Sequence, residues 1–290
     1  MQQRNFHYRI EPCDEEDAYY LEEQLRLEDD THARPRRGVT DEDVVLKVTN
    51  DYDVIIAGCT AKIDSWGVAA IDVVWVDKPY RRQGMGTALL AEAERLAAAK
   101  GCYLALVGVF DFQASAFFEA RGYELFNIWE GYPAGHDNYS LAKRLDKRAS
   151  KAATPRWIAT GEDEDAEYID YLLNDYNESR VPHAHDYLPL DLGAVDAEGN
   201  LIAGCLAGSC GWNATFVELL WVQPAHRRKG VGTALLNAIE REARESGSTL
   251  VLMGAYDWQV DFLVHRGYTV TGELKDCPKG HVYYSLMKRL

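Results

Sequence analysis

The stretch Arg81-Arg82-Gln83-Gly84-Met85-Gly86-Thr87-Ala88-Leu89-Leu90 returns later in the chain as Arg227-Arg228-Lys229-Gly230-Val231-Gly232-Thr233-Ala234-Leu235-Leu236. Eight of the ten positions are identical across an offset of 146 residues. The same offset carries Gly58-Cys59 onto Gly204-Cys205 and Trp75-Val76 onto Trp221-Val222. Beyond one deleted residue, Gly122 to Leu145 aligns with Gly267 to Leu290. A period this long marks duplicated domains rather than a solenoid of small repeats. Between the copies, Asp146 to Pro155 is polar, lacks large apolar side chains and ends in proline, as an interdomain linker does. The repeat therefore predicts domains at residues 1–147 and 156–290, joined by a linker at 148–155.

Each half reads alike. In the first, Phe6 to Ile10 is a short strand and Glu15 to Leu27 an amphipathic helix. Residues 44–49 and 53–62 form a hairpin turning at Asn50-Asp51, and the second half turns at Asp196-Ala197-Glu198-Gly199. Val68 to Val76 is an apolar strand, followed by the glycine turn and a helix over Met85 to Ala99. That helix shows an apolar period at Leu89, Leu90, Ala93, Leu96 and Ala97 and ends before Gly101. A strand at Tyr103 to Phe110, a helix at Gln113 to Ala120 and two closing strands complete the unit. The order strand–turn–helix–strand implies a right-handed crossover between parallel strands inside a mostly antiparallel sheet.

Glycines between an apolar strand and a helix make an anion site. Without Cβ atoms at Gly84 and Gly86, main-chain N–H groups can close around a pyrophosphate at the positive end of the helix. Arg81, Arg82, Arg227 and Arg228 add charge, and Thr87 and Thr233 can donate hydroxyls. A pair of glycines alone is often only a turn. Two copies, each after Trp-Val and before a helix, carry more weight.

On these residues the chain resembles the GNAT superfamily of N-acetyltransferases, whose signature Arg/Gln-x-x-Gly-x-Gly/Ala is met by Arg81-x-x-Gly84-x-Gly86 and Arg227-x-x-Gly230-x-Gly232. Phe118-Glu119-Ala120-Arg121-Gly122-Tyr123 and His265-Arg266-Gly267-Tyr268 match a further family segment, so the likeness covers nearly the whole chain twice. The resemblance implies an α+β (mixed α/β) fold of two tandem units. Each would be a mostly antiparallel, six- to seven-stranded sheet flanked by helices, with a splayed parallel pair for acetyl-CoA. It places the co-substrate against Trp75, Val76, Arg81, Arg82, Gln83, Gly84, Met85, Gly86 and Thr87. The second set is Trp221, Val222, Arg227, Arg228, Lys229, Gly230, Val231, Gly232 and Thr233. A main-chain N–H beside Trp75-Val76 or Trp221-Val222 would stabilise a developing oxyanion.

Glu218 is a carboxylate inside an apolar strand, and Asp72 is its repeat partner. Either these are general bases of raised pKa, or they lie on the outward polar face of the strand. Many relatives carry a tyrosine general acid where this chain has Phe118 and Leu263. Tyr132, Tyr139 and Tyr284 are substitutes or packing residues, and a thiol of pKa about 8.5 can depart as thiolate. Asp111 and Asp257 suit helix N-caps. His136 and His281 mark a repeated turn, and Glu162 to Asp165 fits a helix N-terminus. His183-Ala184-His185 lacks a third ligand at metal spacing, so no metal is expected.

The formal charge is −15, from 46 acidic and 31 basic residues. Such a surface disfavours nucleic acid and anionic membranes and favours a cationic acceptor, although net charge also serves solubility. The six cysteines include no C-x-x-C pair and read as reduced thiols, and the first ten residues hold no apolar signal region. A cytoplasmic acyltransferase acting on a small cationic amine is the first expectation, as a monomer with an internal pseudo-dimer or as a homodimer. The alternatives are a protein lysine or N-terminal acetyltransferase, and an acyl-CoA-binding regulator with one or both halves inactive.

Overall fold

The computed structural model describes residues 7–35, 42–145 and 154–290. The first half runs β1 (Arg9–Pro12), α1 (Glu15–His32), β2 (Glu42–Thr49), β3 (Ile55–Ile63), β4 (Val68–Val76), α2 (Met85–Ala99), β5 (Leu104–Phe110), α3 (Ser115–Glu119), β6 (Glu124–Glu130) and β7 (Asp137–Arg144). The second runs β8 (Ala159–Thr160), α4 (Asp163–Arg180), β9 (Leu188–Pro189), β10 (Leu192–Val195), β11 (Leu201–Ser209), β12 (Ala214–Val222), α5 (Val231–Glu245), β13 (Leu250–Tyr256), α6 (Val260–Val264), β14 (Thr269–Lys275) and β15 (Val282–Arg289). Helix α2 spans the expected residues, whereas α1 continues five residues beyond Leu27. Phe6 and most of the proposed linker lie outside the described residues.

Instead of two separate sheets, the described strands form one 15-stranded sheet. Its order is β1, β10, β11, β12, β13, β15, β14, β6, β7, β5, β4, β3, β2, β8, with β9 against β11. The halves meet at β14 and β6, where Gly272 faces Asn127. Thr271 Oγ1 donates to the buried Asn127 Oδ1 at 2.7 Å, satisfying a polar group that would otherwise be costly there.

The outer strands are exchanged. β1 pairs with β10 of the second half, Arg9 opposite Val195, and β8 pairs with β2 of the first half. The following helices cross with them: α1 packs on β11 and β12, and α4 on β2, β3 and β4. Both helices open with a capping box, Asp14 with Asp17 and Glu162 with Asp165, and with an acidic first turn that suits the helix dipole. Their inward stripes hold the fully buried Leu21 and Ile169. A Cβ at Gly204 would come within 2.1 Å of Leu21 Cδ1, and one at Gly58 within 2.4 Å of Ile169 Cδ1. The repeated Gly-Cys pairs thus mark where each borrowed helix touches the sheet of the other half. Lys47 ties α4 down through Asp165 at 2.7 Å.

Behind each half of the sheet α2 or α5 closes a core. Leu89, Leu90 and Ala93 pack with Ile71 and Leu141, and Leu235, Leu236 and Ile239 pack with Val217 and Leu286.

Candidate functional site

Strands β4 and β5 pair in parallel from Val68 opposite Leu104 to Ile71 opposite Val107, and then separate. β12 and β13 do the same, from Ala214 opposite Leu250 to Val217 opposite Met253. On their other side, β4 and β12 bulge against their antiparallel neighbours β3 and β11 at that point. Thr60 faces Val73 while Ala61 faces Ile71, so Asp72 is the extra residue. Leu206 faces Leu219 while Ala207 faces Val217, so Glu218 is the extra residue of the second copy. A bulge bends its strand and re-aims a side chain, here at the root of each splay. Cavities of about 870 Å³ and 830 Å³ open there.

The glycine turns lie at the far wall of each cavity. Gly84 (φ +87°) and Gly230 (φ +89°) are left-handed N-cap residues of α2 and α5 and supply no side-chain cap, so the first-turn amides face the turn without one. A Cβ at either glycine would meet nothing within 4 Å, so the space beside the turn is open. Arg81 Nε donates to the Val76 carbonyl at 2.7 Å, and Arg227 Nε to that of Val222 at 2.8 Å, locking turn to strand. Amides, helix end and arginines together fit a diphosphate.

Residues 5–123 and again 149–263 match the acetyltransferase (GNAT) family. The chain belongs to that family. A blasticidin-S acetyltransferase from Streptomyces morookaense is 37% identical over 81 residues, which cover 28% of this chain and 60% of that enzyme. The chain thus matches less than two thirds of that relative's length. Among solved structures, an acetyltransferase from Bacillus cereus is 31% identical over 47% of this chain and 96% of its own, with a TM-score of 0.44. A tandem GNAT protein from the clavulanic acid biosynthesis pathway is 16% identical, covers 98% of both chains and has a TM-score of 0.40. GNAT enzymes use acetyl-CoA as acyl donor.

Against this GNAT frame, Asp72, Trp75, Val76, Arg81, Arg82, Gly84, Met85, Gly86 and Thr87 line the first cavity. Glu218, Trp221, Val222, Arg227, Arg228, Gly230, Val231, Gly232 and Thr233 line the second. Gln83 and Lys229 are not on those walls; Gln83 Nε2 donates to the Pro79 carbonyl at 3.3 Å. Loss of contact with water raises the carboxyl pKa of both Asp72 and Glu218. Lys62 opposes the rise at Asp72 while Asp43 and Asp170 add to it; at Glu218, Asp191 and Glu22 add to it.

Residues of the exchanged helices also wall the cavities, and the repeat of the glycine motif did not point to them. Leu173 and Tyr176 of α4 line the first cavity, and Leu25 and Glu28 of α1 the second. Asn177 Oδ1 accepts from Gln113 Nε2 at 2.7 Å. At the matching place, buried Asp29 accepts from Trp258 Nε1 at 3.0 Å and from Gln259 Nε2 at 3.3 Å. A signal was present: α1 and α4 align without a gap at an offset of 148, with five of their 18 positions identical, among them Glu16-Asp17-Ala18 and Glu164-Asp165-Ala166.

Phe118 and Leu263 are buried against their cavities and offer no proton. The substitute tyrosines Tyr132, Tyr139 and Tyr284 line neither cavity. Tyr132 is buried between the halves with its hydroxyl 3.5 Å from Cys210 Sγ, and burial pushes its pKa up. Tyr80 and Tyr176 do reach the first cavity, and His226 and His265 the second. Asp111 and Asp257 are not helix caps, because the N-cap residues of α3 and α6 are Ala114 and Gln259; instead they hold His136 at 2.8 Å and His281 at 3.1 Å. His183 pairs with Glu178 at 2.6 Å, and His185 Nε2 lies 3.3 Å from Ser209 Oγ. No helix among the described residues is long and apolar enough to cross a membrane.

Proposed function

We propose that the chain transfers an acetyl group from acetyl-CoA to a primary amine of a small cationic substrate. Residues 1–147 and 156–290, joined by 148–155, would form the two catalytic units, each completed by a helix of the other. The observation that carries this reading is the doubled construction of splayed strands, a bulge carboxylate and an uncapped glycine turn around one cavity. Asp43 and Asp170 act on Asp72, and Asp191 and Glu22 on Glu218, and this concentration of acid near each bulge supports a cationic acceptor. The similarity to a blasticidin-S acetyltransferase supports an acceptor of the antibiotic class.

When bound, acetyl-CoA supplies the activated acyl carbon. Gly84 and Gly230 leave the first-turn amides open to hold a diphosphate, and Arg81 and Arg227 fix the turn. Beyond Ile71 and Val217 the parallel ladder ends, so the edges of β4 and β12 leading to Trp75 and Trp221 are open to the cavity, where main-chain N–H groups can polarise a carbonyl. Asp72 or Glu218 would take a proton from the acceptor's ammonium, directly or through water, leaving the free amine to attack as the thiol departs as thiolate, and a raised pKa moves the base's basicity toward neutrality. Phe117 and Phe118, and Phe262 and Leu263, bound the apolar side of the cavities and exclude water.

The test is release of free CoA across a panel of polyamines, aminoglycosides, nucleoside antibiotics and basic peptides. Turnover confined to the small cationic amines is the expected result. Turnover only with peptides would reassign the acceptor to proteins, and none with any amine would overturn the enzymatic reading.

A further inference from the structure

The two clefts share turns and strands but differ in what the borrowed helix lays beside the arginine of the turn. In the second cleft Glu28 Oε2 accepts from Arg227 Nη2, and Glu28 itself lines the cavity. The matching position on α4 is Tyr176. Its ring centroid lies 5.8 Å from the Arg81 guanidinium carbon, and that of Trp75 lies 5.2 Å away. Among the described residues Arg81 forms no ion pair. Ring faces attract a guanidinium without cancelling its charge, whereas a carboxylate cancels the charge and occupies donors that a phosphate would use.

A second cation deepens the contrast. Arg121 donates to Thr87 Oγ1 in the first turn of α2 and to the Phe117 carbonyl of α3, with its buried Nε unpartnered. Its counterpart Arg266 bonds the carbonyl of its neighbour His265 at 3.3 Å. The first cleft thus brings Arg81, Arg82 and Arg121 to the phosphate turn, with no acid of α4 among the cavity-lining residues. The second has Arg227, Arg228 and Arg266 on its walls, but there Arg227 is already matched by Glu28.

We propose that Glu28 is an internal competitor for Arg227, so that the chain holds one tight acyl-CoA site, at Gly84, and one weak site, at Gly230. The inference rests on the reading that both glycine turns take the diphosphate of CoA. An incoming nucleotide must displace Glu28 from the second cleft or accept its repulsion, while the first cleft is ready as it stands. Acetyl transfer at ordinary donor concentration is then the work of the first cleft, with Asp72 as its base.

Calorimetric titration of the full chain with CoA, with native mass spectrometry for stoichiometry, tests this. Wild type should show two classes of site. Arg81→Gln should remove the tight class and Arg227→Gln should spare it. Glu28→Gln, which keeps shape and removes charge, should tighten the weak class about five- to tenfold without moving the tight one. Tyr176→Glu, which installs the competitor in the first cleft, should weaken the tight class by a similar factor. Thermal melting of each variant reports folding. Two equal sites in wild type would overturn the inference, as would a tight site lost with Arg227→Gln or an unchanged weak site in folded Glu28→Gln. Binding at neither cleft in any variant would overturn the co-substrate reading itself, and the inference with it.

Discussion

The two halves build the same cleft from nearly the same strands and turns, yet they roof it with different helices. Arg81 and Arg227, Gly84 and Gly230, and Asp72 and Glu218 occupy matching positions. Over these frames α4 brings Tyr176 and Asn177, while α1 brings Glu28 and Asp29. Each half has kept the glycine turn, the splayed strands and the bulge carboxylate, and has changed the part it lends to its neighbour. In a duplicated chain with exchanged helices, a substitution in one half is felt in the cleft of the other. Assigning an active half from its own residues alone would therefore misplace the cause.

The largest expected effect sharpens this comparison at the carboxylates. Asp72→Asn should lower kcat/KM by about 10²–10⁴-fold, the usual weight of a general base, whereas Glu218→Gln should cost far less at low acetyl-CoA. The base must be deprotonated to act, so activity should rise with pH through a limb displaced above the ordinary carboxylate range. That limb should vanish from the residual rate of Asp72→Asn. A larger loss in Glu218→Gln would reverse the ranking of the clefts.

A smaller effect tests the exchange itself. Gly58→Val should cost about 1–3 kcal/mol by pressing on Ile169, and Gly204→Val a similar amount through Leu21. Denaturant titration measures both. Ile169→Ala leaves room for the new valine and should recover part of the loss in Gly58→Val but none in Gly204→Val. Leu21→Ala should show the opposite pattern. Coupling of this kind falls off between distant sites, so a cycle linking residue 58 to residue 21 would contradict the crossed arrangement.

Much of this architecture could be read from the chain. The glycine motif, its Trp-Val lead and its helix are fixed by local chemistry, since left-handed glycines and an apolar helical period leave little choice at Gly84 and along Leu89 to Ala97. The carboxylates at 72 and 218 stood out because a charge within an apolar strand needs a reason. The exchange was not legible. Strand β1 pairs equally well by pattern with either hairpin, because duplication made the hairpins alike, and the partner is held by long-range packing such as that of Leu21 and Ile169. Asp111 and Asp257 were misread for a related reason. An aspartate after a strand suits a cap, but a histidine 25 or 24 residues downstream on the returning turn takes the carboxylate first.

The smallest effect concerns the seam where each borrowed helix meets the loop after the splayed strand. Asp29 holds Trp258 and Gln259, and burial pushes its carboxyl up to about 6, whereas Asn177 holds Gln113 with no charge to bury. A carboxyl whose pKa rises on folding stabilises the native state fully below its unfolded value, near 4, and that contribution is lost as pH rises through about 6. Wild type should therefore carry a penalty at neutral pH that Asp29→Asn removes, because asparagine still accepts both hydrogen bonds through its carbonyl. The gain should be on the order of 1 kcal/mol, less than the full shift implies because water reaches part of the seam. It should shrink toward zero by about pH 4, where wild-type Asp29 is itself neutral. The reciprocal Asn177→Asp should introduce the same penalty in the first cleft. Urea titrations across this range decide the matter: two variants that shift stability in the same direction would mean that the two seams do not differ by the charge of this one side chain.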